Sequence, residues 1–155
     1  MTGFSKVLMS NLLPTVNQMN ELNPKFEVSS LKRKRILVDM SLTTVHHGHV
    51  RLLRKAHELG DVIVALTSDE EIFNSKGFHP MLSFEHRKEI VLAFKYVREV
   101  IKCKWLIDEK FMERYNIDLL VHGEDNQNPV PKEKLVLFKR TTGISSSQLR
   151  NSNRG

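Results

Sequence analysis

The chain has 155 residues and a mass of 18.0 kDa, with 40% hydrophobic and 27% charged residues; that suits one domain with a real core and excludes a disordered polypeptide. A single cysteine, Cys103, excludes an internal disulfide framework and a cysteine-rich zinc site, and fits a reducing, cytoplasmic setting. The net charge of +6 gathers at the ends: Met1–Arg35 holds six basic residues against Glu21 and Glu27, and Lys139–Gly155 holds four with no acid.

Such a distribution suits a compact anion such as a nucleotide better than a duplex, which is usually met by a basic face or stripe. The run Leu31-Lys-Arg-Lys-Arg35 is the one segment that could still touch nucleic acid. No apolar run approaches the ~20 residues of a membrane span. The amino end shows neither the apolar block of a secretory signal nor the arginine density of a transit peptide.

In chain order, residues 1–34 form an extension in which Phe4, Val7, Leu8, Leu12 and Val16 share one helical face. A docked helix is the expectation there, a flexible tail the alternative. From residue 35 the pattern alternates. Ile36–Val38 reads as a buried strand and Gly48–Leu59 as a helix stopped by Gly60. Val62–Leu66 is the clearest strand. Ser83, with Glu85 in the first turn, opens a helix running to about Tyr96.

Glu99–Ile101, Ile117–Val121 and Leu135–Phe138 read as three more strands, with a helix over Asp108–Tyr115. Ser145 or Ser146 caps a short final helix containing Leu149. Alternating strands and helices predict an α/β fold, a doubly wound parallel five-stranded sheet over 35–155. Ligands of such sheets bind beyond the carboxyl ends of the strands, where strand order reverses.

The segment Asp39-Met-Ser-Leu-Thr-Thr-Val-His-His-Gly-His-Val50 lies between a strand and a helix. That puts His46 and His49 beside a helix amino terminus, whose N–H groups attract anions, while Gly48 allows close approach to the backbone. Zinc ligation by the two histidines is the competing reading, but the metalloprotease pattern needs a glutamate where His47 stands.

These residues resemble the H-x-G-H signature of the cytidylyltransferase-like nucleotidyltransferases. The likeness continues through Ser83-Phe-Glu-His-Arg-Lys88 and His122-Gly-Glu-Asp125. Arg140-Thr-Thr-Gly-Ile-Ser-Ser-Ser147 is similar to the R-T-x-G-I-S-[ST]-[ST] motif of the glycerol-3-phosphate, ethanolamine-phosphate and choline-phosphate branches. The Met40-Ser41 approach to the histidines also looks like cytidylyltransferase domains of phosphonate biosynthesis.

The resemblance implies a Rossmann-like fold and transfer of CMP from CTP to a small phosphorylated or phosphonate acceptor, releasing pyrophosphate. It implies His46, His49 and Lys76 as catalytic. Nucleotide binding would fall to Met40, Ser41, Gly48, Gly123, Asp125, Arg140, Gly143, Ile144, Ser145, Ser146 and Ser147. Arg87 and Lys95 would meet the acceptor. It further implies Mg²⁺ carried by the triphosphate without protein side-chain ligands, a homodimer, and no nucleic-acid partner. The chain departs from the family pattern at Thr43, where relatives carry an acid, at Phe78, where they carry a second basic residue, and at Asn126. Adenylyl transfer and a non-catalytic nucleotide-binding scaffold are the alternatives.

Overall fold

The structure is a computed structural model that describes residues 32–152, so the helix expected over Phe4–Val16 lies outside the described residues. Its elements are β1 (Arg35–Met40), α1 (His47–Leu59), β2 (Asp61–Thr67), α2 (Asp69–Lys76), α3 (Phe84–Leu92), β3 (Val97–Cys103), α4 (Glu109–Arg114), β4 (Leu119–Gly123), β5 (Leu135–Phe138) and α5 (Ser146–Ser152). A 3₁₀ turn, Lys132–Lys134, leads into β5.

All the strand pairings are parallel, in the order β3-β2-β1-β4-β5. The apolar runs of β1 and β2 are buried on both faces because helices cover both sides of a parallel sheet. On one face Leu53 and Ala56 of α1 and Phe84 and Val91 of α3 pack on Ile36, Val38 and Val64. On the other, Ile107 and Met112 pack on Leu37, Ile63 and Leu120. The first connection out of central β1 leads to β2 on one side, and β4 lies on the other. The strand order therefore reverses at β1, and the crevice above its carboxyl end is where a ligand belongs.

Three elements differ from the periodicity. α2 carries one buried side chain, Ile72, so it has no apolar stripe to read; it is held instead by its Ser68 cap and by Asp69, Glu70 and Glu71 in the first turn, which suit the helix dipole. α3 stops at Leu92 rather than Tyr96, because the Val97 amide must turn back to the Phe94 carbonyl to start β3. β3 is longer than expected, since an edge strand can keep Arg98 and Lys102 in solvent.

Arg33 and Arg35 of the basic run serve the fold. Arg33 donates to the carbonyls of His57 and Gly60 at the end of α1 and pairs with Asp61. Arg35 pairs with Glu99 and donates to the Tyr115 carbonyl. Gly60 is required by a close approach: a Cβ there would lie 2.2 Å from the Lys34 carbonyl oxygen.

Candidate active site

A cavity of about 470 Å³ opens over the carboxyl ends of β1, β2, β4 and β5. His46 caps α1 with its own ring. Its Nδ1 accepts the Gly48 amide at 3.1 Å, and the Nδ1 of His49 accepts the His46 amide at 3.3 Å. Histidines here perform the reciprocal capping usually done by Ser and Glu. With Nδ1 of each ring engaged as an acceptor, the neutral imidazoles carry their protons on Nε2, as donors. The rings lie against each other, with centroids 3.9 Å apart and planes tilted by 30°. Burial, with the neighbouring His46, pushes the His49 pKa down to about 4, and burial lowers that of His46 too. At neutral pH the pair therefore offers two uncharged N–H donors.

Gly48 has a reason the sequence does not show. A Cβ there would sit 2.8 Å from the Nδ1 of His46, so the capping ring itself demands glycine. Leu42, buried in the loop just before the histidines, adopts φ of 49°, a left-handed conformation that a leucine holds only when its surroundings impose it.

The serine segment meets this loop. Ser146 Oγ donates to the Thr44 carbonyl at 3.1 Å, and Arg150 of α5 donates to Thr43 Oγ1 at 2.8 Å. Ser145 is the residue that caps α5, accepting the Gln148 amide. Ser145, Ser146, Ser147 and Ile144 all line the cavity, and so do His46, His49 and Gly48. Gly143 does not; it supplies the turn, at φ of 77°.

Lys76 closes the third wall. It is the last residue of α2, with Gly77 in the left-handed conformation behind it, and its ammonium donates to Ser41 Oγ at 3.1 Å. Burial and the nearby Arg150 lower its pKa. Across the cavity Arg140 pairs with Asp125 at 3.4 Å, beside Gly123 and Met40.

Arg87 and Lys95 are not where the acceptor reading puts them. Arg87 is fully buried, bonded to the carbonyls of Ser41, Leu82 and Thr67 and paired with Asp69 at 2.5 Å. Its donors hold the Ser41 loop to α2 and α3 from below, and it does not line the cavity. Lys95 is exposed in the turn before β3, at the amino ends of the strands and so on the opposite side of the sheet. The α3 termination at Leu92 puts it there.

The sequence reading missed a polar cluster at the end of β1. Asp39 Oδ2 accepts Asn128 Nδ2 at 3.1 Å, whereas Asp39 Oδ1 is buried with no hydrogen bond and lies 3.6 Å from His122 Nε2. His122 Nδ1 is 3.0 Å from the Gly123 carbonyl, so it donates there and leaves Nε2 as an acceptor in the neutral ring. Burial raises the pKa of Asp39. Asp39, His122, Asn128 and Trp105 line the cavity together. A carboxylate closing the apolar run Ile36–Val38 was the available signal; its partner Asn128 lies 89 residues away.

The fold and site define a nucleotidyltransferase of the α/β class. The family described as Cytidylyltransferase-like matches residues 44–152, and the chain belongs to it. It is 34% identical to glycerol-3-phosphate cytidylyltransferase of Staphylococcus aureus, covering 76% of this chain and 92% of that protein. It is 33% identical to ethanolamine-phosphate cytidylyltransferase of Dictyostelium discoideum over 74% of this chain, which spans only 35% of that relative's length. The fold is similar to the solved lipopolysaccharide core biosynthesis protein from Thermoplasma volcanium, with TM-score 0.60, 19% identity, and coverage of 70% of this chain and 98% of that one.

Proposed function

We propose that the chain transfers CMP from CTP to a small acceptor bearing both a phosphate or phosphonate and an amine, releasing pyrophosphate. The observation that carries the first half is the meeting of the His46–His49 cap, the Ser145–Ser147 segment and Lys76 around one cavity. An acceptor oxygen attacks the α-phosphorus, a new P–O bond forms, and the bond to pyrophosphate breaks opposite it. No covalent enzyme intermediate is needed; catalysis is placement plus stabilisation of developing charge. The two Nε2–H donors and the Lys76 ammonium meet that charge, the serine hydroxyls hold the tail, and Asp125 with Arg140 borders the sugar and base.

The amine half rests on Asp39. A buried carboxylate oxygen without a hydrogen bond, 3.6 Å from His122 Nε2, is costly until a donor arrives. An ammonium group on the acceptor supplies that donor; a glycerol hydroxyl supplies a weaker one. Comparing phosphoethanolamine, 2-aminoethylphosphonate, phosphocholine and glycerol-3-phosphate as acceptors tests this. Primary amines should turn over fastest; a clear preference for glycerol-3-phosphate would overturn the amine assignment.

Mg²⁺ would enter on the triphosphate and neutralise part of its charge. Its ligands would be phosphate oxygens and water, the set this ion prefers. Exposed Phe73, Met81 and Leu82 outside the cavity support a homodimer; light scattering that finds only monomer would remove it. The buried, unbridged Cys103 fits a cytoplasmic setting. Among the described residues no helix is long and apolar enough to cross a membrane.

A further inference from the structure

Asn126, a departure from the family pattern, is not accounted for by the site as described. Its side chain serves the residue two positions on. Asn126 Oδ1 accepts the Asn128 amide at 3.2 Å and Asn128 Nδ2 at 2.9 Å, an Asx-type turn that fixes the second asparagine. Asn128 is 7% exposed and, with Thr67 and Arg87, makes up the buried polar side chains among the described residues. A buried carboxamide is tolerated when its donors and its acceptor are engaged. Here all of them are. Nδ2 places its two hydrogens on Asn126 Oδ1 and Asp39 Oδ2, and Oδ1 accepts the Ile107 amide at 2.7 Å.

The Ile107 amide settles which way the carboxamide points, since a backbone N–H can only donate. Nδ2 therefore faces Asp39, and the oxygen it meets is an acceptor. Asn128 thus uses one oxygen of that carboxylate and leaves the other, Oδ1, without a hydrogen bond. It also joins two walls of the cavity. Asp39 stands near the end of β1, while Ile107 follows the Trp105–Leu106 segment, whose Trp105 amide donates to Glu71 at 2.8 Å. Burial raises the Asp39 pKa, and His122 and the Asn128 hydrogen bond work against burial. The titratable groups close enough to act on Asp39 are His122 and Asp125 at the β4 end and Cys103 at the end of β3.

We propose that Asn128, oriented by Asn126, is a positioning residue for the acceptor's amine: by engaging one oxygen of Asp39 and tying it to the Trp105 segment, it keeps the other oxygen free for an ammonium donor. This rests on the amine reading of the acceptor and goes beyond it in naming what sets the carboxylate. Asn126 then has a physical role, since it orients the carboxamide that orients the carboxylate.

The test is steady-state kinetics of the full chain across pH, with phosphoethanolamine and glycerol-3-phosphate as acceptors. Asn128→Leu, close in size but without hydrogen-bonding groups, should raise KM for phosphoethanolamine about tenfold or more, the scale of a lost hydrogen bond to a charged group. KM for CTP should stay within about twofold, and KM for glycerol-3-phosphate should move far less than that for the amine. The acid limb of kcat/KM for phosphoethanolamine should shift to higher pH, because a carboxylate without that bond takes up its proton more readily. Asn126→Ala, which leaves every partner of Asp39 in place, should raise the same KM by about two- to fivefold. It supplies the readout if the leucine variant does not fold. Equal rises in KM for phosphoethanolamine, glycerol-3-phosphate and CTP would overturn the proposal, since Asn128 would then merely hold its loop together. If the unmodified protein prefers glycerol-3-phosphate, the amine assignment falls and this proposal with it. An amine preference whose KM and acid limb neither variant disturbs overturns this proposal alone.

Discussion

The two ends of the cavity are built on opposite principles. At the phosphate end the side chains are donors: neutral imidazoles fixed as Nε2–H tautomers by backbone amides, and Lys76, with Ser145–Ser147 alongside. At the β1 end stands a buried carboxylate, with Asp39 Oδ1 unbonded and 3.6 Å from His122 Nε2. Burial moves the key groups in opposite senses, lowering His49 and raising Asp39. One end waits for negative charge and the other for a proton donor. A substrate carrying an anionic phosphorus group and an amine satisfies both, which neither a simple phosphate nor a simple amine would do.

The largest expected effect is on the donor end. His46→Ala and His49→Ala should each lower turnover by roughly 10²–10³-fold, as for loss of one transition-state donor; near-normal steady-state rates in both would break the contrast at once. At the acceptor end, Asp39→Asn should reduce the preference for amine acceptors over glycerol-3-phosphate by about tenfold or more. The same change should raise the melting temperature of the ligand-free protein, because it removes a buried charge lacking full compensation. An unchanged acceptor ratio, or a lowered melting temperature, would argue that Asp39 is a structural group.

Outside the cavity, Gly60→Ala should destabilise by about 1–3 kcal/mol, since its Cβ meets rigid backbone. Chemical denaturation would check this, and an unaltered midpoint would contradict the packing. A further effect is in pH. His49 titrates near 6.5 when unfolded and at about 4 in the fold. The unfolded chain therefore binds more protons between those values, and stability should be full above about 6.5 and fall as the pH drops towards 4. His49→Gln should flatten that part of the stability profile.

The sheet and the histidine loop were legible because both are written locally. Apolar runs such as Val62–Leu66 signal buried strands, and the capping histidines stand within four residues of one another. α2 was invisible to periodicity because a single residue, Ile72, anchors it. Arg87 and Lys95 illustrate a different limit. A basic residue on a helix pattern gives no sign of whether its charge faces a cavity, an interior cluster of carbonyls with a half-exposed carboxylate, or the amino ends of the strands, and these two meet the latter fates. Asp39 and Asn128 come together only when β1 and the segment after β4 are adjacent.

The claim beneath all of this is that the imidazole pair and the serine segment cradle the tail of CTP. Pyrophosphate release should be measured for CTP, UTP, ATP and GTP with Mg²⁺, with and without 2-aminoethylphosphonate or phosphoethanolamine. The account predicts acceptor-dependent release that is fastest with CTP. Faster turnover of ATP, or no acceptor-dependent release from any nucleotide, would contradict it.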